Sequence, residues 1–302
     1  MEGFAKVRIC VIFNPAARGE KARRFRRHLD TIGSSCTLKL TSAAGDARRL
    51  AAEAVREGFD IIAAAGGDGT MNEVLNGIGD VPGGFDRCRL AVLPLGTVNV
   101  FARELRLPRR LGPAWRCIQA GHEALIDLPL AEFVGPRGPE RRWFAQLAGA
   151  GLDARAVELV NWPLKKQVGP LAYIWAGLVA VASRGPTLQV SAGGTSLCGQ
   201  LVVIGNGKLY GGNYRVFEGA DLRDGILDAV VFPTVNWFTL ARCGPQMLVR
   251  RTLPAAYIRR VQAPALTITS DERVPFQLDG ELAGTLPAKI TIQRQALRVV
   301  VP

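Results

Sequence analysis

Three short stretches place glycines and carboxylates at spacings that could do chemistry. The first, "GGDGTMNE" at 66–73, ends the apolar run "DIIAAA" and then turns helical. Gly66, Gly67 and Gly69 permit a sharp turn and close backbone approach, and Thr70 to Glu73 has the spacing of a capping box. A helix that opens on unshielded N–H groups is an anion site, best suited to phosphate. Asp68 at its centre suits a phosphate that carries Mg²⁺. A second turn lies in "VLPLGTVNVFAREL" at 92–105, where Gly96 and Thr97 supply another backbone and hydroxyl donor set. Two such turns at the carboxyl ends of parallel strands converge on one crevice. Neither has the spacing of the Walker loop or of the dinucleotide fingerprint.

Two further stretches carry carboxylates. In "FQLDGE" at 276–281, Asp279 and Glu281 flank a turn glycine, and residues two apart in an extended chain share a face. Taken alone, the Asp-Gly pair reads as a type I′ hairpin turn. In "ADLRDGILD" at 220–228, carboxylates alternate around a glycine turn, which suits a hard cation with oxygen ligands.

The elements that must position these residues fall into two halves. "VRICVIFNP", "CTLKLT", "DIIAAAGG" and "RLAVLPLG" read as strands, alternating with helices over "GEKARRFRRHLDTIG", "GDARRLAAEAVREGF" and "TMNEVLNGI". That rhythm predicts a doubly wound parallel sheet. Past Ile126 come short strands separated by Gly, Pro and Asp turns, from "AEFVG" to "KITIQRQALRVVV", which predict an antiparallel β-sandwich. One helical insert is expected at about 155–183. The predicted fold is therefore α/β plus β: an α/β domain over 1–127, then a β-sandwich domain over 128–302 whose last strand is free to pack back on the first domain.

Composition narrows the function. Six cysteines lie far apart without a CxxC pair, and only His28 and His122 occur. Free buried thiols in a reducing cytoplasm follow, and a histidine zinc site or a Ser-His-Asp triad is set aside. The amino-terminal apolar run, Val7 to Phe13, reads as a buried strand and not a signal peptide. The apolar helical stretch Pro170 to Ser183 is shorter than the ~20 residues a spanning helix needs. A formal net charge of +12, with basic clusters at 18–27, 103–110, 137–142 and 250–260, favours polyanions. The sequence holds no helix-turn-helix, zinc-finger or RNP pattern, so an anionic membrane face is the expected partner and nucleic acid is not.

Five blocks, "NPAARG" (14–19), "GGDGTMNEV" (66–74), "PLGTVNVFAREL" (94–105), "GNGKLYGGNYRVFEGADLRDGILDAVVF" (205–232) and "FQLDGE" (276–281), stand in the order seen in the diacylglycerol-kinase-like catalytic family. The chain resembles that family over nearly its full length. The resemblance implies a lipid kinase that binds ATP between an α/β domain and a β-sandwich. It puts nucleotide contacts on Asn14, Thr41, the Gly66, Gly67, Asp68, Gly69, Thr70, Asn72 and Glu73 loop, Gly96 and Thr97. It assigns the general base to Asp279, with Glu281 as partner or alternative, and a structural Mg²⁺ to Asp221, Asp224 and Ile226, while Asp68 organises the metal on ATP. Two departures stand out: Arg223 replaces the usual acid or asparagine, and Val100 replaces the usual aspartate. The acceptor implied is diacylglycerol or a similar lipid alcohol, reached from the cytoplasm at the inner membrane face. Competing readings are a kinase of a soluble acceptor such as NAD and a non-catalytic nucleotide or anionic-lipid binding protein. The oligomeric state is left open.

Overall fold

The computed structural model describes residues 7–15, 35–152, 154–155 and 185–302. The helix expected over 19–33, the basic run 18–27 and, beyond its first residue, the helical insert at 155–183 lie outside the described residues. The chain divides into two compact units, Met1–Leu128 with Arg294–Pro302, and Pro129–Gln293.

In the first unit, strands β1 (Ile9–Phe13), β2 (Thr37–Leu40), β3 (Ile61–Gly66) and β4 (Arg89–Pro94) form a parallel sheet in the order β2-β1-β3-β4. Val299, in the returning segment, adds a further parallel strand beside Leu90 of β4. The strands read as continuous apolar runs because both faces are covered. Val11, Ala63 and Leu93 pack with Ala114, Trp115 and Ile118 of a helix at Leu111–Ala120. The alternate residues Cys10, Ile12, Ile62 and Ala64 are also buried, and helices α1 (Asp46–Arg56) and α2 (Asp68–Gly79) pack on β1 and β3. The chain runs from β1 to β2 on one side and from β3 to β4 on the other, so the topological switch lies between β1 and β3.

The second unit is antiparallel. Its strands are β5 (Glu123–Gly135, entering from the first unit), β6 (Gly138–Trp143), β7 (Leu147–Gly151), β8 (Leu188–Ala192), β9 (Thr195–Gly199), β10 (Leu201–Gly205), β11 (Leu209–Tyr210), β12 (Tyr214–Arg215), β13 (Leu227–Phe232), β14 (Arg259–Ala263), β15 (Ala265–Thr269), β16 (Pro275–Leu278) and β17 (Glu281–Val300). One layer runs β14-β13-β10-β7-β16 and ends on the first part of β17, and the other runs β9-β8-β15 onto its middle. Strand β17 pairs β16 through Thr285 and β15 from Ala288, so Pro287, which has no N–H to donate, sits at the changeover.

Alternation along these strands divides two cores. Val202, Ile204, Ala229 and Val231 face the sandwich interior with Phe144, Phe276 and Leu266. Val203 and Val230 face outward, where Phe217, Ala220 and Cys243 cover them. Cys243 belongs to a helix, Trp237–Arg250, that the strand-turn rhythm of the sequence does not announce.

All six cysteines are free, with Cys10, Cys88 and Cys243 buried and Cys198 exposed. Burial pushes the Cys10 and Cys88 thiols up to about 12, which leaves them unreactive near neutrality. Among the described residues no helix is long and apolar enough to cross a membrane.

Candidate active site

The predicted nucleotide residues gather at one edge of the first unit. Asn14 follows β1, Thr41 follows β2, Gly66 ends β3, and Leu95 and Gly96 follow β4, all at the carboxyl ends of parallel strands. The Asn14 side chain donates to Thr70 Oγ1 at 3.3 Å, across the topological switch. The two glycine turns are stitched together, because Gly66 O accepts both Leu95 N and Gly96 N at 3.0 Å. A Cβ on Gly96 would lie 2.6 Å from Gly67 Cα, a distance no side chain tolerates. Backbone approaches backbone here, and only glycine permits it.

Helix α2 starts earlier than its sequence suggests. Gly67, extended at φ −95°, is the N-cap and makes no side-chain cap bond. The capping box expected from Thr70 to Glu73 is not formed, since Thr70 stands inside the first turn. Its hydroxyl accepts from Asn14 instead, and the Glu73 carboxylate accepts Gly45 N and Ala47 N, each at 3.0 Å. Glu73 thus caps the start of α1, whose own N-cap, Gly45, has no side chain to do it. The first intrahelical bond of α2 runs from Met71 N to Gly67 O at 3.1 Å, so the N–H groups of Asp68, Gly69 and Thr70 precede the ladder. Asp68 is half-buried in this turn, Asn72 is tied to Asn76 Nδ2 at 3.1 Å, and Thr97 is exposed beside Gly96. This edge can cradle phosphate oxygens.

Asn99 is legible in the sequence only as a retained member of the block around Val100. It is buried in a left-handed conformation, φ 52°, and donates through Nδ2 to Gly96 O at 2.7 Å. Its Oδ1, beside the place a Gly96 Cβ would occupy, has no hydrogen-bond partner. A buried orphan acceptor aimed at a glycine turn fits a ligand that donates there.

In the second unit, the β16–β17 hairpin turns on Asp279 and Gly280, with φ 48° and 85°, the type I′ geometry that Asp-Gly favours. The turn also gives Asp279 a second role. Its carboxylate accepts three backbone N–H groups at 3.0 Å: Gln146 and Leu147 on Oδ1, and Ala145 on Oδ2. Side chains elsewhere hold those donors, because Asn206 donates through Nδ2 to Ala145 O at 3.0 Å and Gln146 through Nε2 to Leu209 O at 2.9 Å. Asn206 is fully buried, and the sequence signalled it only as the middle of "GNG". The shared face expected for Asp279 and Glu281 does not occur. Left-handed backbone at 279 and 280 breaks the extended alternation, so Asp279 turns inward and Glu281 is exposed on β17.

The acidic loop is a pair of Asx turns. Asp221 Oδ1 accepts Arg223 N at 3.1 Å, and Asp224 Oδ1 accepts Ile226 N at 2.9 Å. No ion pair joins Arg223 to Asp221 among the described residues, and no group of three metal-ligating side chains is present there. The neighbouring Asp228 is buried, bonded on Oδ1 by Gln262 at 2.9 Å, and its Oδ2 has no partner. Burial, and secondarily the Asp224 charge, push its carboxyl up despite the Gln262 bond. The orphaned Asp228 oxygen is a candidate oxygen ligand for a hard cation.

A phosphate cradle of glycine turns on a doubly wound sheet, joined in one chain to an antiparallel sandwich that presents a fixed carboxylate, defines a nucleotide-dependent phosphotransferase. Comparison with known proteins gives the family. Residues 8–130 match the diacylglycerol kinase catalytic domain, and 146–301 match the YegS C-terminal NAD kinase beta sandwich-like domain. The chain is 29% identical over 304 residues to a diacylglycerol kinase of Bacillus subtilis (strain 168), covering 97% of this chain and 95% of that one. It is 30% identical to a diacylglycerol kinase of Staphylococcus aureus (strain MRSA252) over 302 residues, 97% and 91% of the two chains. A solved diacylglycerol kinase structure from Bacillus anthracis superposes with a TM-score of 0.76 at 22% identity, covering 98% and 97%, which establishes the fold. The chain belongs to the diacylglycerol kinase family and is an enzyme, an ATP-dependent lipid kinase. A soluble acceptor such as NAD is not favoured.

Proposed function

We propose that this protein transfers the γ-phosphoryl group of ATP to the hydroxyl of diacylglycerol or a lipid alcohol of that kind, working from the cytoplasm as a peripheral protein at an anionic membrane face. The observation that carries the reading is the Asp279 carboxylate, buried and fixed by three backbone donors in a chain that also carries the stitched glycine turns.

Phosphoryl transfer asks the protein mostly to position groups and offset charge. The N–H groups that open α2, at Asp68, Gly69 and Thr70, receive phosphate oxygens, while Asn14, Thr41, Asn72, Gly96 and Thr97 border the nucleotide. Asp279, held as the anion, orients the lipid O–H for in-line attack and takes its proton late, as the bond from the γ-phosphorus to the bridging oxygen breaks and ADP leaves. Glu281, exposed one residue past the turn, is its partner toward the acceptor. Mg²⁺, when bound, offsets charge on the phosphates and rigidifies the acidic loop. Asp68 would hold it at the nucleotide. Asp221, Asp224 and the Ile226 backbone would hold it in the loop, where the orphan Asp228 oxygen is a matching acceptor.

The test is transfer of label from the γ-phosphate of ATP, with Mg²⁺, into the organic phase of a lipid extract. Organic-phase label that vanishes in Asp279→Asn supports the reading, and its chromatographic identity names the acceptor. A folded, ATP-binding protein that leaves no such label refutes it.

A further inference from the structure

The helix at Trp237–Arg250 presents a face that neither the sandwich nor the catalytic residues use. Its inward side is settled: Asn236 Oδ1 accepts Thr239 N at 2.9 Å as the N-cap, and Thr239, Cys243 and Met247, four apart, turn toward the outer core of the sandwich unit. The opposite side is open. Trp237 is 56% exposed, Phe238 58% and Val249 82%, and Trp237 and Phe238 are the exposed aromatics among the large apolar side chains described. Phe238 is not a stray surface residue. It packs edge-on against Tyr257, with ring centroids 6.2 Å apart, and the Arg242 guanidinium lies 5.3 Å from its centroid.

Charge identifies the occupant. Residues 229–270 contain five arginines, Arg242, Arg250, Arg251, Arg259 and Arg260, and no aspartate or glutamate. All five are exposed. A protein partner recognised through aromatic anchors would not require a stretch without a single acid, whereas exposed Trp and Phe in an acid-free, arginine-rich stretch, with Arg242 against Phe238, match the interface of an anionic bilayer. The face lies at the end of the unit away from Asp279: Val235 N donates to Gln200 Oε1 just before β10 opens, whereas Asp279 N donates to Leu147 O, opposite Gly205 at the far end of β10.

We infer that the Trp237–Arg250 helix is an interfacial anchor that lays Trp237 and Phe238 into an anionic membrane and so holds the enzyme at the bilayer that carries its acceptor. The inference rests on the lipid-kinase reading for its purpose, and its test separates the two.

Sedimentation of the full chain with phosphatidylcholine vesicles, and with vesicles containing phosphatidylglycerol, reads the anchor. Phosphorylation of a short-chain diacylglycerol in detergent, which needs no bilayer, reads the kinase. Binding to the anionic vesicles alone is expected. It should fall at least ten-fold in W237A/F238A and roughly twenty-five-fold in R250Q/R251Q, about five-fold per arginine, with the short-chain rate and the melting midpoint kept. In the single variant W237F, the blue shift of tryptophan emission on anionic vesicles should be lost. Wild-type binding by W237A/F238A, or a blue shift that survives W237F, overturns the anchor. So does a change from dimer to monomer in W237A/F238A with vesicle binding intact, which would assign the face to a second copy of the chain. Absence of short-chain phosphorylation by a folded protein refutes the kinase reading and leaves the anchor to the vesicle results.

Discussion

The two units use the same chemical resource, the peptide N–H, in opposite ways. In the parallel unit, the donors that open α2 precede its hydrogen-bond ladder at a strand end, and the glycines around them carry no side chains to keep a foreign anion away. In the antiparallel unit, three donors at the start of β7 face inward and hold the protein's own anion, Asp279. One site is built by leaving charge out and the other by fixing it in place. Substitution should therefore harm the first through bulk and the second through loss of charge.

The largest effect is expected for Asp279→Asn. An amide nitrogen cannot accept, so one of the three donors loses its partner, at about 1–3 kcal/mol of stability, and the acceptor hydroxyl loses its proton acceptor, with kcat falling on the order of 10²–10⁴-fold. Rates and urea midpoints measured on the same preparation sharpen the contrast if ATP affinity is unchanged. Gly96→Ala should do the reverse. Its methyl meets the Gly67 backbone, so KM for ATP should rise about ten-fold or more and stability should drop by roughly 1–3 kcal/mol. An unaltered KM would break the account of the stitched turns.

Asn206→Ala tests the second unit at one remove. With the Ala145 carbonyl unpaired, about 1–2 kcal/mol of stability should go, and kcat should fall several-fold while KM for ATP holds. Smallest is a local pH effect beside Thr41. Bonds from the Ser42 hydroxyl, then from the Ser42 and Ala43 backbone N–H groups, hold Asp46 down at about 2, below its ordinary 3.8. A depressed carboxylate stabilises above its unfolded value and loses that contribution as pH falls through the folded one. Protection of the Ser42 and Ala43 amides, relative to their intrinsic exchange rates, should therefore fall between about pH 4 and pH 2, and in Asp46→Asn should be low throughout.

Much of the parallel unit was legible because its signals are local: buried apolar runs ending in glycine announce strand ends, and strand ends locate the cradle. What escaped depends on distant partners. Glu73 looks like a box for its own helix, but an uncapped glycine 28 residues upstream claims it. Asp279 and Glu281 look like facing residues until two left-handed positions turn one of them inward. The Trp237–Arg250 helix carries Thr, Cys, Gly244 and Pro245, all poor helix formers, and is held by its Asn236 cap and the burial of Thr239 and Cys243. Asn99 and Asn206 were visible only as members of motifs, since an amide becomes a site or a strut through the carbonyl it meets.

The strand that carries Val299 gives the chain an order of assembly. When Leu128 leaves the ribosome, β4 still has one edge without its parallel partner, and it keeps that open edge through the synthesis of Pro129–Gln293. The sheet bearing the phosphate cradle closes only when Val299 is made. A chain arrested partway is left with an unpaired edge on β4, so the parallel sheet is completed only after the acceptor-side carboxylate has been made.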